Sequence, residues 1–457
     1  MNDRKKVLIA NAQGFWGDSP LGPLRLVEEG PIDYLTFDYL AEITMSIMQK
    51  QKMRNPEAGY ATDFVSMLGK ILPTIRKKGI KVVANAGGVN PRACLAAIRK
   101  EVEKLGLSGV RIGIVEGDDI LDTLPDLISS GEKFTNLDSG ENIEKVLDRV
   151  SSANVYIGAA PIVEALRQGA DIVVTGRATD PSVVLAPLIH EFGWSMDDFD
   201  RMAAGTVAGH IVECGAQCTG GNYTRWREVP NPEKIGYPVI EAYGDGTFVV
   251  TKHEGTGGLV NVETVTSQLL YELGDPKQYL GPDCVADFTT IQLSQEGENR
   301  VAVSGIKGSA PTSTYKVSIS YANGYKIISS LCVPGPEAVE KAQLLADVVW
   351  KRLEMHGVHI PQENRFLELF GTNVLYKGIV PANKEPHEVL MRIGAKSQNP
   401  QDLNVFGMEI APLVTSGGPP GLTGFASGRA RPTEIVVYWP ALIDKSRVAT
   451  IVTVEEI

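Results

Sequence analysis

Thr175-Gly176-Arg177-Ala178-Thr179-Asp180-Pro181 joins an apolar, β-branched run at 171–174 to a helical stretch that reaches His190. Pro181 suits the first helical position, which makes Asp180 the N-cap. Free N–H groups and the dipole at such a helix start favour an anion, and the Arg177 guanidinium adds a flat, two-pronged donor for a carboxylate or phosphate. Arg177, Thr179 and Asp180 are therefore expected to bind substrate. The plainer alternative is that Asp180 only caps the helix and Arg177 pairs with an acidic neighbour. Glu116, Asp118 and Asp119 follow another apolar run, 111–115. Asp118 or Asp119 could serve as a general base, or Glu116 and Asp118 could hold a divalent ion such as Mg²⁺ through hard oxygen ligands. Capping of the next helix explains either aspartate equally well.

Further groups combine polar side chains with exposed backbone. His210, Cys214 and Cys218 fall at i, i+4 and i+8 of a small-residue stretch, 203–218, with Glu213 beside them. The stretch reads as one closely packed helix stopped by Gly220-Gly221, so one face holds all of them. That spacing could ligate a soft metal or form a thiolate–imidazole pair, but cysteine is commonly a packing residue, and His210 and Glu213 are the better candidates for proton transfer. His253 precedes Gly255-Thr256-Gly257-Gly258 and pairs an acid/base group with a backbone nest built on Gly257 and Gly258. The loops 14–19 (Gly14, Trp16, Asp18) and 85–88 (Asn85, Gly87, Gly88) offer backbone N–H groups to an anion or let a ligand approach closely. Ser416, Gly417 and Gly418 open a loop, 416–424, with four glycines and two prolines, and Arg429 follows it. It suits a shaped wall around a phosphate or pantetheine-like chain, or simply a demanding turn.

Most of these loops share one kind of position. Short apolar runs at 6–10, 81–84, 111–115, 154–157 and 171–174 each enter a loop bearing Gly, Asn or Asp, and then an amphipathic helical stretch. Runs apolar on both faces, such as Ile172-Val173-Val174, mark strands covered by helices on each side. The predicted fold class is α/β, with an N-terminal, mostly parallel sheet carrying helices on both faces, plus a C-terminal α+β domain. Ligands of such sheets bind outside the carboxyl ends of the strands, where these loops fall. After Pro230 alternating strands and hairpins take over, with turn candidates at Asp245-Gly246 and Asn323-Gly324, a half-buried strand at 313–320 and a helix at 337–354. The boundary is placed near 230, giving domains 1–230 and 231–457. The 253–258 and 416–424 loops are expected to close over the strand ends of the first.

The chain has 457 residues, 43% hydrophobic and 22% charged, which is ordinary globular composition. A net charge of -11 opposes binding to a phosphate backbone, so nucleic acid is not an expected partner. No run approaches the length of a membrane span, and the basic start lacks a signal-peptide core; a cytoplasmic protein with no membrane partner is expected. Five sparse cysteines read as thiols in a reducing compartment. G-x-G-x-x-G and the Walker loop are absent, so neither NAD nor ATP is an expected cofactor; Mg²⁺ stays open. Apolar surface left over from two domains suggests a homo-oligomer.

Taken in order, the segments 14–19, 38–42, 85–88, 116–119 and 175–181, then Gly209-His210 with Glu213-Cys214-Gly215, 255–258 and 417–424, resemble the acyclic terpene utilisation family AtuA over nearly the whole chain. The resemblance implies a place in the catabolism of branched acyclic terpenoids and related acids, whose intermediates travel as coenzyme A thioesters. It carries no established catalytic residue onto this sequence. Glu254 stands where the family favours proline.

Abundant Asp, Glu and His at strand ends suit acid/base work. The expectation is lyase or hydratase chemistry next to a carboxylate or thioester carbonyl, with a small-molecule carboxylate or acyl-CoA as substrate. Asp118 or Asp119 would be the base, Arg177 the anchor, and His210 or His253 the acid. A thioester or amide hydrolase using an activated water or Cys214, and a non-catalytic acyl-CoA-binding or assembly protein, are the alternatives.

Overall fold

In the computed structural model, which describes residues 6–424 and 428–457, the apolar runs become strands that stop where the sequence turns to Gly, Asn or Asp. The first eight are β1 (Val7–Gln13), β2 (Tyr34–Phe37), β3 (Lys81–Ala84), β4 (Arg111–Glu116), β5 (Val150–Val155), β6 (Ile172–Thr175), β7 (Pro238–Ala242) and β8 (Phe248–Lys252). A parallel centre runs in the order β1-β2-β3-β6-β4, with Phe37 beside Ala84 and Val82 beside Ile172. Val82, Ala84, Ile112, Ile114, Ile172 and Val174 share one core with Phe64 and Leu68 of helix Thr62–Lys78 and Ile98 of helix Pro91–Lys104. One residue out of phase, Val83, Val115 and Val173 are equally buried. Strand alternation turns them to the opposite face, where Ala160–Arg167 and Ser182–Phe192 pack on the sheet. This is the α/β architecture expected from runs apolar on both faces.

The sheet is longer and more mixed than the sequence suggested. β7 pairs antiparallel with β1 and β8 with β7, Arg300–Ser304 and Gln292–Gly297 extend that edge, and Ile451–Glu456 runs antiparallel to β4. Among the described residues this makes a ten-stranded sheet. It continues past residue 230, because the change of grammar there is a change from crossover helices to hairpins inside one sheet. The hairpin at Asp245-Gly246 forms, with Gly246 at φ +93° and the Tyr243 N–H on the Thr247 carbonyl. Asn323-Gly324 makes no hairpin and lies inside the strand Thr314–Pro334. The 154–157 run does not join the ten-stranded sheet: β5, which ends at Val155, pairs with Thr314–Pro334, and Asn154 and Ile157 bridge to Asp119 and Ala178 beside the strand-end loops.

The chain divides into two compact units, Met1–Ser320 with Tyr438–Ile457, and Tyr321–Val437. In the second, Arg365–Phe370 and Glu388–Ser397 pair antiparallel, and Glu388–Ser397 pairs with Tyr325 to Pro334. Leu331, Val333, Val389, Met391 and Ile393 face helices Ala338–Met355 and Pro400–Ile410 through Leu345, Val349 and Phe406, an α+β arrangement. No helix among the described residues is long and apolar enough to cross a membrane.

Candidate functional site

β6 ends at Thr175, and Gly176 passes so close to Asp118 that any Cβ there would collide with its carboxylate. Asp118 Oδ2 accepts the backbone N–H of Arg177 at 2.7 Å and the Asn154 side-chain amide at 3.0 Å. Burial pushes the Asp118 carboxyl up to about 7, opposed by the Arg177 N–H. Held this way, Asp118 is a strut under the loop. Arg177 is 2% exposed. Its Nη1 donates to the Leu40 carbonyl and, at 2.8 Å, to Asp180 Oδ1, its guanidinium lies 4.2 Å from the Tyr156 ring centroid, and its Nε has no hydrogen-bond partner among the described residues. Burial opposes the charge, yet Asp180, Tyr156, Asp38 and Glu42 raise its pKa well above the ordinary arginine value. Helix Ser182–Phe192 has Pro181 at its N-cap with no side-chain cap bond, so Asp180 serves Arg177 rather than the helix start.

Arg177 stands at the waist of a two-lobed cleft. One lobe, of 640 Å³, is walled largely by Leu137, Tyr156, Tyr279, Leu280, Pro282, Tyr315 and Leu442. The other, of 450 Å³, is walled by Phe15, Trp16, Asp38, Tyr39, Glu213 and Cys214. Glu42, Arg177, Asp180 and Glu272 line both. The Tyr156 hydroxyl donates to Glu42 Oε1, and Lys316 Nζ lies 3.8 Å from the same oxygen. Burial works to raise the Glu42 carboxyl, but the Tyr156 hydroxyl with Arg177 and Lys316 outweighs it and the pKa falls below the usual value.

Two carboxyls, Asp38 and Glu213, line the polar lobe from elements far apart in the sequence. Asp38 follows β2 and receives the Asn85 amide on Oδ1 at 2.6 Å, while Asn85 Oδ1 accepts the Tyr39 N–H at 2.7 Å. Burial and the nearby Asp180 hold Asp38 well above the usual carboxylate range, against the pull of Arg177. Glu213 is the C-cap of helix Phe199–Val212. Its Oε1 lies 3.3 Å from His210 Nδ1, close enough for an ion pair but misaligned for a hydrogen bond. The imidazole packs edge-on against Tyr279 and Phe288, with centroids at 5.2 and 5.3 Å. Burial raises the Glu213 carboxyl, opposed by His210; burial disfavours charged His210, but Glu213 overcomes this and raises its pKa. The pair therefore retains a proton that neither group would hold as firmly in water.

The remaining sequence candidates divide between walls and scaffold. Thr179 lines the apolar lobe, and Gly14 and Trp16 line the polar one, where Trp16 Nε1–H donates to Asp63 at 2.8 Å. The 14–19 loop is no open anion cradle, because Asp18 fills it. Asp18 Oδ2 takes the Gly14 N–H at 3.0 Å, and Oδ1 takes the Ser19 N–H at 2.6 Å and the Tyr237 hydroxyl at 2.9 Å. Asn85, Gly87 and Gly88 are buried and line neither lobe; Asn85 acts by holding Asp38. Asp119 accepts the Leu121 N–H at 3.1 Å in a turn and faces Lys52, and Glu116 pairs with Arg92 at 2.6 Å. Among the described residues no group of three or more His, Cys, Asp or Glu is arranged to hold a metal ion.

His253 lies in a separate cavity of 70 Å³ with Arg25, Tyr237 and Thr256, which shares no lining residue with either lobe. Burial lowers its pKa. Gly257 and Gly258 form a packed turn, their N–H groups on the carbonyls of Lys234 and Pro230 at 2.8 Å each. The 253–258 segment therefore does not close over the strand ends at Arg177. Ser416, Gly417 and Gly418 belong to the Tyr321–Val437 unit, where the Ser416 carbonyl accepts from Arg352 and Gly418 abuts the Leu413 carbonyl; Arg429 is exposed. The small-residue helix ends at Val212, with Gly215 at φ +56°, so Cys218 lies in a separate turn and the expected single face is not realised. All five cysteines are free. Burial and Glu213 push the Cys214 thiol up, which disfavours the thiolate a nucleophile needs.

The cleft also uses residues that the sequence did not single out one by one: Asp38, Glu42, Tyr156, Glu272 and Tyr279. Asp38 had a local signal, an acid directly after the apolar run Tyr34–Phe37. Glu272 and Tyr279 had none, because they reach the cleft from the far half of the unit.

Comparison with known proteins gives one strong result. A family model described as "Acyclic terpene utilisation family protein AtuA" matches residues 7–454. No curated protein and no solved structure matches significantly. The chain belongs to the acyclic terpene utilisation family AtuA.

Proposed function

We propose that the protein is an enzyme of branched-chain or terpenoid acid catabolism that adds or removes water next to a carboxylate or thioester carbonyl, in the cleft around Arg177. The observation that carries this reading is a buried guanidinium with an unpartnered Nε, set between an apolar lobe and a polar lobe whose two carboxyls, Asp38 and Glu213, are both biased toward the protonated form. In this account Arg177 holds the carboxyl or carbonyl oxygen and stabilises the negative charge that grows there as the neighbouring carbon loses its proton. Glu213, in its ionised fraction, takes that proton, and His210 beside it steadies the exchange. Asp38 gives its own proton to the departing hydroxyl, which leaves as water. Hydration runs the same steps in reverse. Asp118, which the sequence offered as base, keeps the Arg177 loop in place, and His253 plays no part.

The family assignment supports the substrate class, and the apolar wall from Leu137 to Leu442 suits a branched hydrocarbon chain. The test is turnover of a panel of branched unsaturated and 3-hydroxy acids and their thioesters by the purified protein. The proposal expects at least one member to be hydrated or dehydrated, with Asp38→Asn and Glu213→Gln inactive but still binding. No turnover of any member sinks it.

A further inference from the structure

We infer that the cleft takes its ligand as a free monocarboxylic acid with a branched or unsaturated hydrocarbon chain, not as a coenzyme A thioester. The inference rests on the proposed reading of the cleft as the site, and it narrows the substrate of that site. Among the described residues, the charged side chains lining the two lobes are Asp38, Glu42, Asp180, Glu213, Glu272 and Asp275, against Arg177 and Lys316. Both cations already face a carboxylate: Arg177 Nη1 is 2.8 Å from Asp180 Oδ1, and Lys316 Nζ is 3.8 Å from Glu42 Oε1. Burial biases Asp38 and Glu213 toward neutrality, which still leaves four carboxylates for two cations.

Coenzyme A brings a diphosphate and a further phosphate on its ribose. Phosphates are held by arginines, lysines or free backbone N–H groups. At this cleft the backbone loop of suitable shape, 14–19, is already occupied by its own anion: the Asp18 carboxylate takes the Gly14 and Ser19 N–H groups. Exposed Glu272 and Asp275 add negative charge to the lining of the cleft, which repels a phosphate-bearing nucleotide. A single carboxylate makes a smaller demand. It needs one cation with a spare donor, and Arg177, which lines both lobes, has a buried Nε with no hydrogen-bond partner among the described residues. The apolar lobe then receives the chain, ending among Leu280, Pro282, Tyr315 and Leu442.

The experiment is calorimetric titration of the full-length protein with one branched, unsaturated acid of medium length, presented as the free acid and as its coenzyme A thioester. The free acid is expected to bind, and the thioester to bind roughly tenfold or more weakly at low salt, with the gap narrowing as salt screens the carboxylates. Glu272→Lys should improve the thioester more than the free acid. Leu442→Trp, at a partly exposed wall position, should fill the apolar lobe and weaken the free acid. A thioester that binds as tightly as the acid, no binding of the acid, or free-acid binding indifferent to Leu442→Trp each overturns the inference. Failure of the two readings is separable: acid binding without turnover leaves this inference standing and removes the acid/base proposal, whereas turnover of the thioester in preference to the acid does the opposite.

Discussion

Asp118 Oδ2 accepts the backbone N–H of Arg177 at 2.7 Å, with Gly176 pressed against the same carboxylate. The acid that ends one strand thus sets the position of the cation that follows another. Burial holds Asp118 at about 7, above its ordinary 3.8, so the protonated form is favoured in the folded state. Its contribution to stability is fully present below about 3.8 and is lost as pH rises through about 7. Asp118→Asn is neutral at every pH. Denaturant unfolding across this window should show the wild type losing ground to Asp118→Asn with rising pH, by an amount on the order of a few kcal/mol. Parallel stability curves would remove Asp118 from this role.

Arg177→Lys keeps the charge and loses the fork. Lysine cannot reach the Leu40 carbonyl, Asp180 and a ligand oxygen with one flat group. Ligand affinity should fall by roughly tenfold to hundredfold, seen as a raised KM or Kd, in a protein that still folds by circular dichroism. Unchanged affinity would mean that the ligand is anchored elsewhere.

Asp38 acts in its protonated form, and its pKa is raised above the carboxylate range by burial and Asp180. The rate should therefore be retained on the acid side of that raised pKa and fall as pH climbs through it. Asp38→Asn should cost about a hundredfold or more in kcat and little in ligand Kd. A pH profile whose alkaline limb survives Asp38→Asn would assign that limb to another group.

Gly209 lies where helix Phe199–Val212 crosses the start of helix Ser182–Phe192, and an added Cβ would sit 2.5 Å from Pro181 Cα. Backbone must give way. Gly209→Ala should destabilise the protein by about 1–3 kcal/mol and lower its melting temperature, with a further loss of ligand affinity because Asp180 adjoins the displaced Pro181. A melting temperature equal to the wild type would show that the helices have room to part.

Much of the frame was legible because buried strands flanked by helices leave an apolar signature on both faces. The runs at 81–84, 111–115 and 171–174 became β3, β4 and β6 within a residue, and the small residues around Gly205 and Gly209 do mark close helix packing. β2 was missed between Pro31 and the acidic Asp38, although Tyr34–Phe37 is buried throughout. Asp118 and Asp180 show why the chemistry was harder. A carboxylate at a strand end looks the same in sequence whether it faces solvent, caps a helix or braces a loop from another strand, and those bonds join residues 59 and 3 positions apart. Glu42, Tyr156, Glu272 and Tyr279 meet only through the tertiary fold, so no spacing announces them. Asp18 was read as part of an anion cradle; its own carboxylate is the anion.

The central claim is that Glu213 removes a proton from the carbon beside a carboxyl group held at Arg177. Proton NMR of a branched unsaturated acid, or its saturated 3-hydroxy counterpart, incubated in deuterated buffer with the protein, tests it most directly. The account predicts deuterium entering that carbon with the wild type and not with Glu213→Gln. No exchange with any such acid or thioester, or exchange undiminished in Glu213→Gln, would contradict it.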